Sequence, residues 1–184
     1  MFSKFLIALF IFISFSSQLY AKKKQLIINQ LMTIDNITFN FEQITNKKIE
    51  SGNCILVFNN KLKCNYQDAY HKEIIINGKR LNINQKRYNK NYSYPIANSP
   101  FMKILNKISL IDLVQKSNYK LTNNIELIYK DERGEITILF DKKNYNLIGW
   151  KVVDQLQNEI NFSLKNISIN TKFDPKIFKF PSNN

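Results

Sequence analysis

Between Asn36 and Ile83 the chain reverses repeatedly, and no helix fits between one apolar run and the next. Asn36 to Gln43, NITFNFEQ, alternates Ile37, Phe39 and Phe41 with polar neighbours, the period-two pattern of a half-buried strand. Cys54 to Phe58 and Leu62 to Tyr66 form the next pair about Asn59-Asn60. Glu73 to Ile76 then meets Asn77-Gly78, the strongest short hairpin signal in the chain. Leu81 and Ile83 continue it, with Tyr88, Tyr92 and Tyr94 as further strand positions. Such a meander predicts an antiparallel sheet and argues against a parallel α/β fold.

Two segments read differently. Lys24 to Ile34 has apolar residues at 26, 27, 28, 31, 32 and 34, which fits a helix with one buried face, although its isoleucines also suit a strand. Asn98 to Lys116 reads as a helical insert. Asn98 or Ser99 can cap it, and Pro100 sits at an allowed first-turn position. Phe101, Leu105 and Ile108 share one face by three- and four-residue spacing, with Met102 beside them. Ser109 is the expected cap of a second short helix ending at Lys116. Strands resume at Ile125–Lys130, Glu135–Phe140, Leu147–Val153 and Glu159–Leu164, with a further one at Asn166–Asn170. Turns are expected at DERG (131–134), at or just after DKKN (141–144), and at DQLQ (154–157). Phe173, Phe178 and Phe180 are placed to tie down the C-terminus.

The first 21 residues have the order of a secretory signal peptide. Lys4 precedes an apolar stretch, Leu6–Phe15, and Leu19-Tyr20-Ala21 ends on a small residue before three lysines. The apolar stretch is shorter than a spanning helix requires, and no cysteine near Ala21 offers a thiol for lipid attachment. The expectation is cleavage after Ala21 and one domain from Lys22 to Asn184, large enough for a core of its own. The formal charge of +13 favours anionic partners. The lysines are spread along a chain also rich in Asn, so the charge is discounted as a functional signal.

Export puts the only two cysteines, Cys54 and Cys64, in an oxidising compartment. A turn near Asn59 sets them opposite each other, at a separation a disulfide can bridge. Two buried thiols acting as small apolar residues are the alternative. With His71 far off, they make no closed metal site. His71 reads as a solvent-facing loop residue, Asp131 and Glu132 as turn residues, and Asp154 as a turn former or surface charge. The tyrosines and lysines between Lys79 and Tyr94 resemble a single-stranded nucleic-acid surface, but export argues against nucleic acid. No phosphate loop, CxxC pair or nucleophile elbow is present. No catalysis, cofactor or metal is expected.

The chain contains 14 Phe, 9 Tyr and 1 Trp. Rings of this size line an apolar pocket well. An ordinary aromatic core accounts for them equally well, and periodicity does not separate the two.

Several landmarks resemble the family of periplasmic outer-membrane lipoprotein carriers, LolA. They are Phe39-Asn40-Phe41-Glu42-Gln43, the hairpin Gly52–Tyr66, and Ile74-Ile75-Ile76-Asn77-Gly78-Lys79-Arg80-Leu81. Ser99-Pro100-Phe101, Leu147-Ile148-Gly149-Trp150-Lys151-Val152-Val153-Asp154 and Phe178-Lys179-Phe180-Pro181 follow in the same order. The resemblance implies a mainly β fold, an incomplete antiparallel barrel closed by a helical lid at about 98–116. It implies a monomeric periplasmic carrier that holds acyl chains in an apolar cavity. Cargo would come from an inner-membrane ATP-driven lipoprotein-release transporter and pass to an outer-membrane acceptor. Each buried CH₂ is worth about 0.8 kcal/mol, so covering a dozen is worth on the order of 10 kcal/mol, and release then needs a lid that opens.

On that reading, strand parity assigns the cavity to Phe39, Phe41, Leu56, Phe58, Ile74, Ile76, Leu127, Tyr129, Ile138, Phe140, Trp150, Val152, Phe162 and Leu164. Pro100, Phe101, Met102, Leu105 and Ile108 form the lid contacts. The family carries Arg-Pro at the first hairpin turn, where the arginine holds the lid. Here Asn59-Asn60 stands in its place, with neither the charge nor the forked donors of arginine. Either the latch is weaker or another residue, such as Arg80 or Arg87, supplies it. A Cys54–Cys64 staple would stiffen a turn that lacks proline. The acceptor with the same fold would need a lipidated N-terminal cysteine. The alternative function is an envelope lipid- or peptide-binding sensor or scaffold on this fold.

Overall fold

Among the described residues, eleven strands form one antiparallel sheet in a computed structural model covering 20–132, 134–153 and 158–181. Residues 1–19 of the expected signal peptide, Arg133 of the DERG turn, and the DQLQ turn with Asp154 lie outside the described residues. The strands are β1 (Asn36–Thr45), β2 (Lys48–Val57), β3 (Lys61–Tyr66), β4 (Lys72–Asn77), β5 (Arg80–Gln85) and β6 (Lys90–Pro95). After a helical interruption come β7 (Asn118–Leu121), β8 (Ile125–Asp131), β9 (Gly134–Phe140), β10 (Leu147–Val153) and β11 (Glu159–Ile169). Their spatial order is β6-β5-β4-β3-β2-β1-β11-β10-β9-β8-β7. The first and last strands in sequence therefore meet at the centre. β6 and β7 are the two edges, and the sheet is not a closed barrel. Residues 20–32 form helix α1, and the interruption contains α2 (Met102–Leu105) and α3 (Lys107–Lys116).

Turn chemistry sets the registers. β1 and β2 are joined by Asn46-Lys47, both with positive φ (49° and 70°), as a type I′ loop requires. A lysine in that conformation is no turn signal, so the start of β2 at Lys48 is invisible from sequence. Phe58-Asn59-Asn60 joins β2 to β3, with Asn60 at φ 57°. At the β4–β5 hairpin the loop is Gly78-Lys79 rather than Asn77-Gly78: Asn77 still pairs with Arg80 in the ladder. Gly78, at φ 63°, takes the first central position, the pattern of a II′ loop. The two expected C-terminal strands are one, β11, because Asn166 absorbs an irregularity at φ 52° and the pairing resumes beyond it. The edge strand β7 has no counterpart in the sequence reading; its NYKL is too short and too polar to show a period.

The inner face of the sheet carries the core. Ile27, Leu31 and Ile34 come down on it from α1 and the turn after it, and Leu110, Leu113 and Val114 from α3. Gly52 is needed on this face: a Cβ there would lie 2.0 Å from the Asn65 carbonyl oxygen and 2.8 Å from the Phe41 ring. The outer face is crossed by the C-terminal tail. A 3₁₀ turn at Pro175–Phe178, capped by Asp174, packs on β3 and β4 and buries Phe178. Phe173 meets Phe178 edge-on at 5.9 Å.

Candidate functional site

The alternation of each strand brings its larger apolar residues to one surface. Phe39, Phe41, Leu56, Ile76, Leu127, Ile138, Phe140, Trp150, Val152, Phe162 and Leu164 are all buried in a single cluster. Phe58 is buried beside the Asn59-Asn60 turn, and Ile74 and Tyr129 are half-buried against the same cluster. Registers agree with the shared face: Trp150 pairs with both Phe162 and Ile138, and Ile138 with Leu127.

At its centre is a run of stacked rings. Trp150 lies on Phe162 at 4.5 Å and 6°, and Phe162 on Phe41 at 4.8 Å and 16°. Phe41 meets Tyr66 edge-on at 4.8 Å, and Phe101 of the helical segment leans on Trp150 at 5.4 Å. The Tyr66 hydroxyl donates to Gln43 Oε1 at 2.8 Å, and Lys72 Nζ sits 3.8 Å over its ring. Lys72 also pairs with Glu50 at 2.7 Å. Burial pushes the Tyr66 hydroxyl well up, in part with the help of the Glu50 and Asp68 charges. Burial alone would raise Glu50, but hydrogen bonds and charges from Lys72 and Lys48 outweigh it and hold the carboxyl below its ordinary value. The apolar run thus ends in a charged and hydrogen-bonded rim. Tyr66, Ile136 and Ile104 also belong to the inner cluster, beyond the residues that sequence reasoning picks out. The first two follow from the parity of Cys64 and Ile138.

The helical segment covers this surface and is broken in its middle. Asn106 has extended geometry (φ −111°, ψ 124°), ends α2 and caps α3, its Oδ1 accepting from the Ser109 N–H at 3.1 Å. The cap is therefore Asn106, not Ser109. The break also shifts the helical phase, so Phe101, Leu105 and Ile108 do not share a face. Leu105 and Ile104 are fully buried, whereas Ile108 is 80% exposed and is no lid contact. Pro100, Phe101 and Met102 are half-buried.

The latch position is occupied by backbone. The Asn60 N–H donates to the Leu105 carbonyl at 3.0 Å, Asn59 and Asn106 form a β-bridge, and the Gly78 N–H donates to the Asn60 carbonyl at 2.9 Å. Neither arginine takes part in the latch: Arg80 donates to Ser93 Oγ, and Arg87 to the Ala69 carbonyl. Ionic ties secure the rest. Lys103 pairs with Asp131 at 3.2 Å and lies 4.1 Å over Tyr129, and Lys107 pairs with Asp35 at 3.0 Å. Lys24 of α1 donates to the carbonyls of Gln115 and Ser117 at the end of α3. Cys54 and Cys64 form a disulfide across β2 and β3.

Among the described residues no three His, Cys, Asp or Glu side chains gather as metal ligands, and His71 is exposed. No described helix is long and apolar enough to cross a membrane.

No curated protein matches the chain by sequence. Solved structures share its fold at low identity. An uncharacterized conserved protein from Thermus thermophilus superposes with a TM-score of 0.53 at 6% identity, over 86% of this chain and 94% of that one. MucB does so at 0.51 and 9% identity, over 88% of this chain and 64% of that one. A LolA superfamily protein from Nitrosomonas europaea gives 0.41 at 10% identity, over 86% and 98%. The family model described as outer membrane lipoprotein carrier protein LolA matches residues 29–181, from within α1 to the C-terminal tail. The chain belongs to the LolA family of outer membrane lipoprotein carrier proteins.

Proposed function

We propose that the protein takes acylated lipoproteins across the periplasm with their acyl chains against the inner face of the sheet. Its family is periplasmic and non-catalytic, and this chain shares both properties. The supporting observation is the cover itself. An apolar surface centred on Phe41, Phe162 and Trp150 lies under a helical segment that is broken at Asn106 and pinned by backbone contacts to Asn59 and Asn60, two ion pairs and Lys24. Swinging α2 and α3 outward bares the rings without breaking the sheet ladder. Acyl chains then replace Phe101, Ile104 and Leu105 as the apolar cover, and return of the helices expels them.

Export with cleavage after Ala21 belongs to the same proposal, as do an ATP-driven release transporter in the inner membrane and an acceptor in the outer membrane as partners. The test is release of radiolabelled lipoprotein from spheroplasts by the purified chain from Lys22, with acyl-free cargo and denatured carrier as controls. The expected outcome is a soluble one-to-one complex that depends on the acyl chains. Failure of a folded carrier to release its own organism's lipoproteins sinks carriage and leaves a lipid- or peptide-binding role.

A further inference from the structure

The inner apolar surface does not stop where the helices stop. One cross-strand row runs Leu56, Leu62, Ile76, Leu81, Tyr94. Its exposure climbs from fully buried at Leu56, through half-buried at Leu81, to 47% at Tyr94 on the edge strand. The neighbouring row ends on half-buried Ile83 and on Tyr92 at 41%. The core therefore opens continuously onto the β6 edge. Tyr70 and Tyr88, both exposed, stand 5.7 Å apart in the turns beside β4 and β5.

The charge along this stretch of the chain is one-signed. From residue 74 to 111 the chain has seven Lys and Arg and no Asp or Glu. Five of them, Lys79, Arg80, Lys86, Arg87 and Lys90, border β5 and β6. Lys86 is paired with Glu73. Among the described residues the other four have no carboxylate partner.

We propose that the β5–β6 edge docks on an anionic phospholipid surface. Tyrosine rings among lysine and arginine are the composition of a membrane interface, where the ring sits at headgroup depth and the cations meet anionic lipid. The graded row then leads from the lipid surface into the core, a route by which acyl chains enter without crossing water. An acidic protein segment adding a strand to the open edge of β6 would use the charge and the free backbone. It would not need tyrosines on the inner face.

The test is sedimentation of the exported chain with vesicles of phosphatidylglycerol and phosphatidylcholine against phosphatidylcholine alone, at low and high salt. Such vesicles hold no lipoprotein, so the result does not depend on whether cargo is carried. Binding is expected to favour the anionic vesicles by about tenfold or more and to fall with salt. Lys79→Gln with Lys90→Gln should weaken it about thirtyfold, as expected for two cations at an anionic surface. Tyr92→Ser with Tyr94→Ser should weaken it about tenfold through lost apolar contact. Lys120→Gln with Lys142→Gln, exposed positions on the other edge strand and in the β9–β10 turn, should change it less than about twofold. Equal binding to both vesicles, no binding, or equal losses in the two lysine pairs overturns the proposal. Loss with the charge pair but not the tyrosine pair also overturns it, in favour of an acidic partner.

Discussion

On one side of β1 the inner face is stapled and open at its edge; on the other it carries the Trp150–Phe162 stack and is roofed by helices. The β2–β6 wing carries cross-links within itself. These are the Cys54–Cys64 disulfide and the buried Glu73, which pairs with Lys63 at 2.8 Å and Lys86 at 3.0 Å. The β8–β11 wing shares its packing with the cover: Trp150 stacks on Phe162 of the sheet and also meets Phe101 of the helical segment. Internally cross-linked structure survives the departure of a neighbour, whereas structure completed by a neighbour does not. On the function proposed above, the first wing serves as the frame and the second as the seat for the acyl chains.

That contrast breaks most severely at Phe162. Truncation to Ala removes the middle ring of the stack and should lower unfolding stability by about 4 kcal/mol in urea titration of the exported chain. A loss below about 1 kcal/mol would mean the aromatic wing does not depend on its stack. Next comes the staple. Cys54→Ser with Cys64→Ser should cost about 3 kcal/mol in oxidising buffer, because the bridge closes a short loop in the unfolded chain. Unchanged thermal stability would show that the frame does not rely on it.

Glu73 supplies the third test. Burial alone would raise its carboxyl, but hydrogen bonds and charges from Lys63 and Lys86 prevail and hold it below its ordinary value. A depressed carboxyl contributes stability above the unfolded value near pH 4 and loses it as pH falls through the folded one. Glu73→Gln should therefore cost about 2 kcal/mol at neutral pH, less than for a fully enclosed pair because Lys86 stays half in water. The difference from the parent should vanish in acid, and a deficit that persists there would refute the ionic account. The smallest effect sharpens the comparison. Asn106→Ala removes the cap of α3, worth about 1 kcal/mol, and should speed amide exchange in Lys107–Lys116 while leaving β2–β6 unchanged.

Much of this was legible in the residues because a strand on a core must alternate. Ile37-x-Phe39-x-Phe41 and Ile136-x-Ile138-x-Phe140 fix their own inward faces, and neighbours follow by register. The illegible parts have identifiable causes. Asn106 lies inside the Phe101–Ile108 run, whose spacing suits one helical face and so puts the break between the two expected helices later, at Ser109. Only its extended backbone, tied to Asn59 across the fold, divides the run and turns Ile108 outward. The contact between the Asn59-Asn60 turn and the helical segment left no trace because the groups that form it, the Asn60 N–H and the Leu105 carbonyl, are backbone. The basic edge was hidden by lysines spread over the whole chain, and it shows only once β5 and β6 are seen side by side.

The ring contacts of Trp150 have an optical consequence. It is the only tryptophan in the chain, buried, stacked on a ring of the sheet and touched by a ring of the helical segment. If Phe101 leaves, part of the indole passes from protein to water or to hydrocarbon, and the emission moves to the red in the first case and stays blue in the second. The protein carries a native fluorophore at the junction of frame and cover. Unlabelled chain in a stopped-flow cell can therefore report an empty opening and a filled one as different colours.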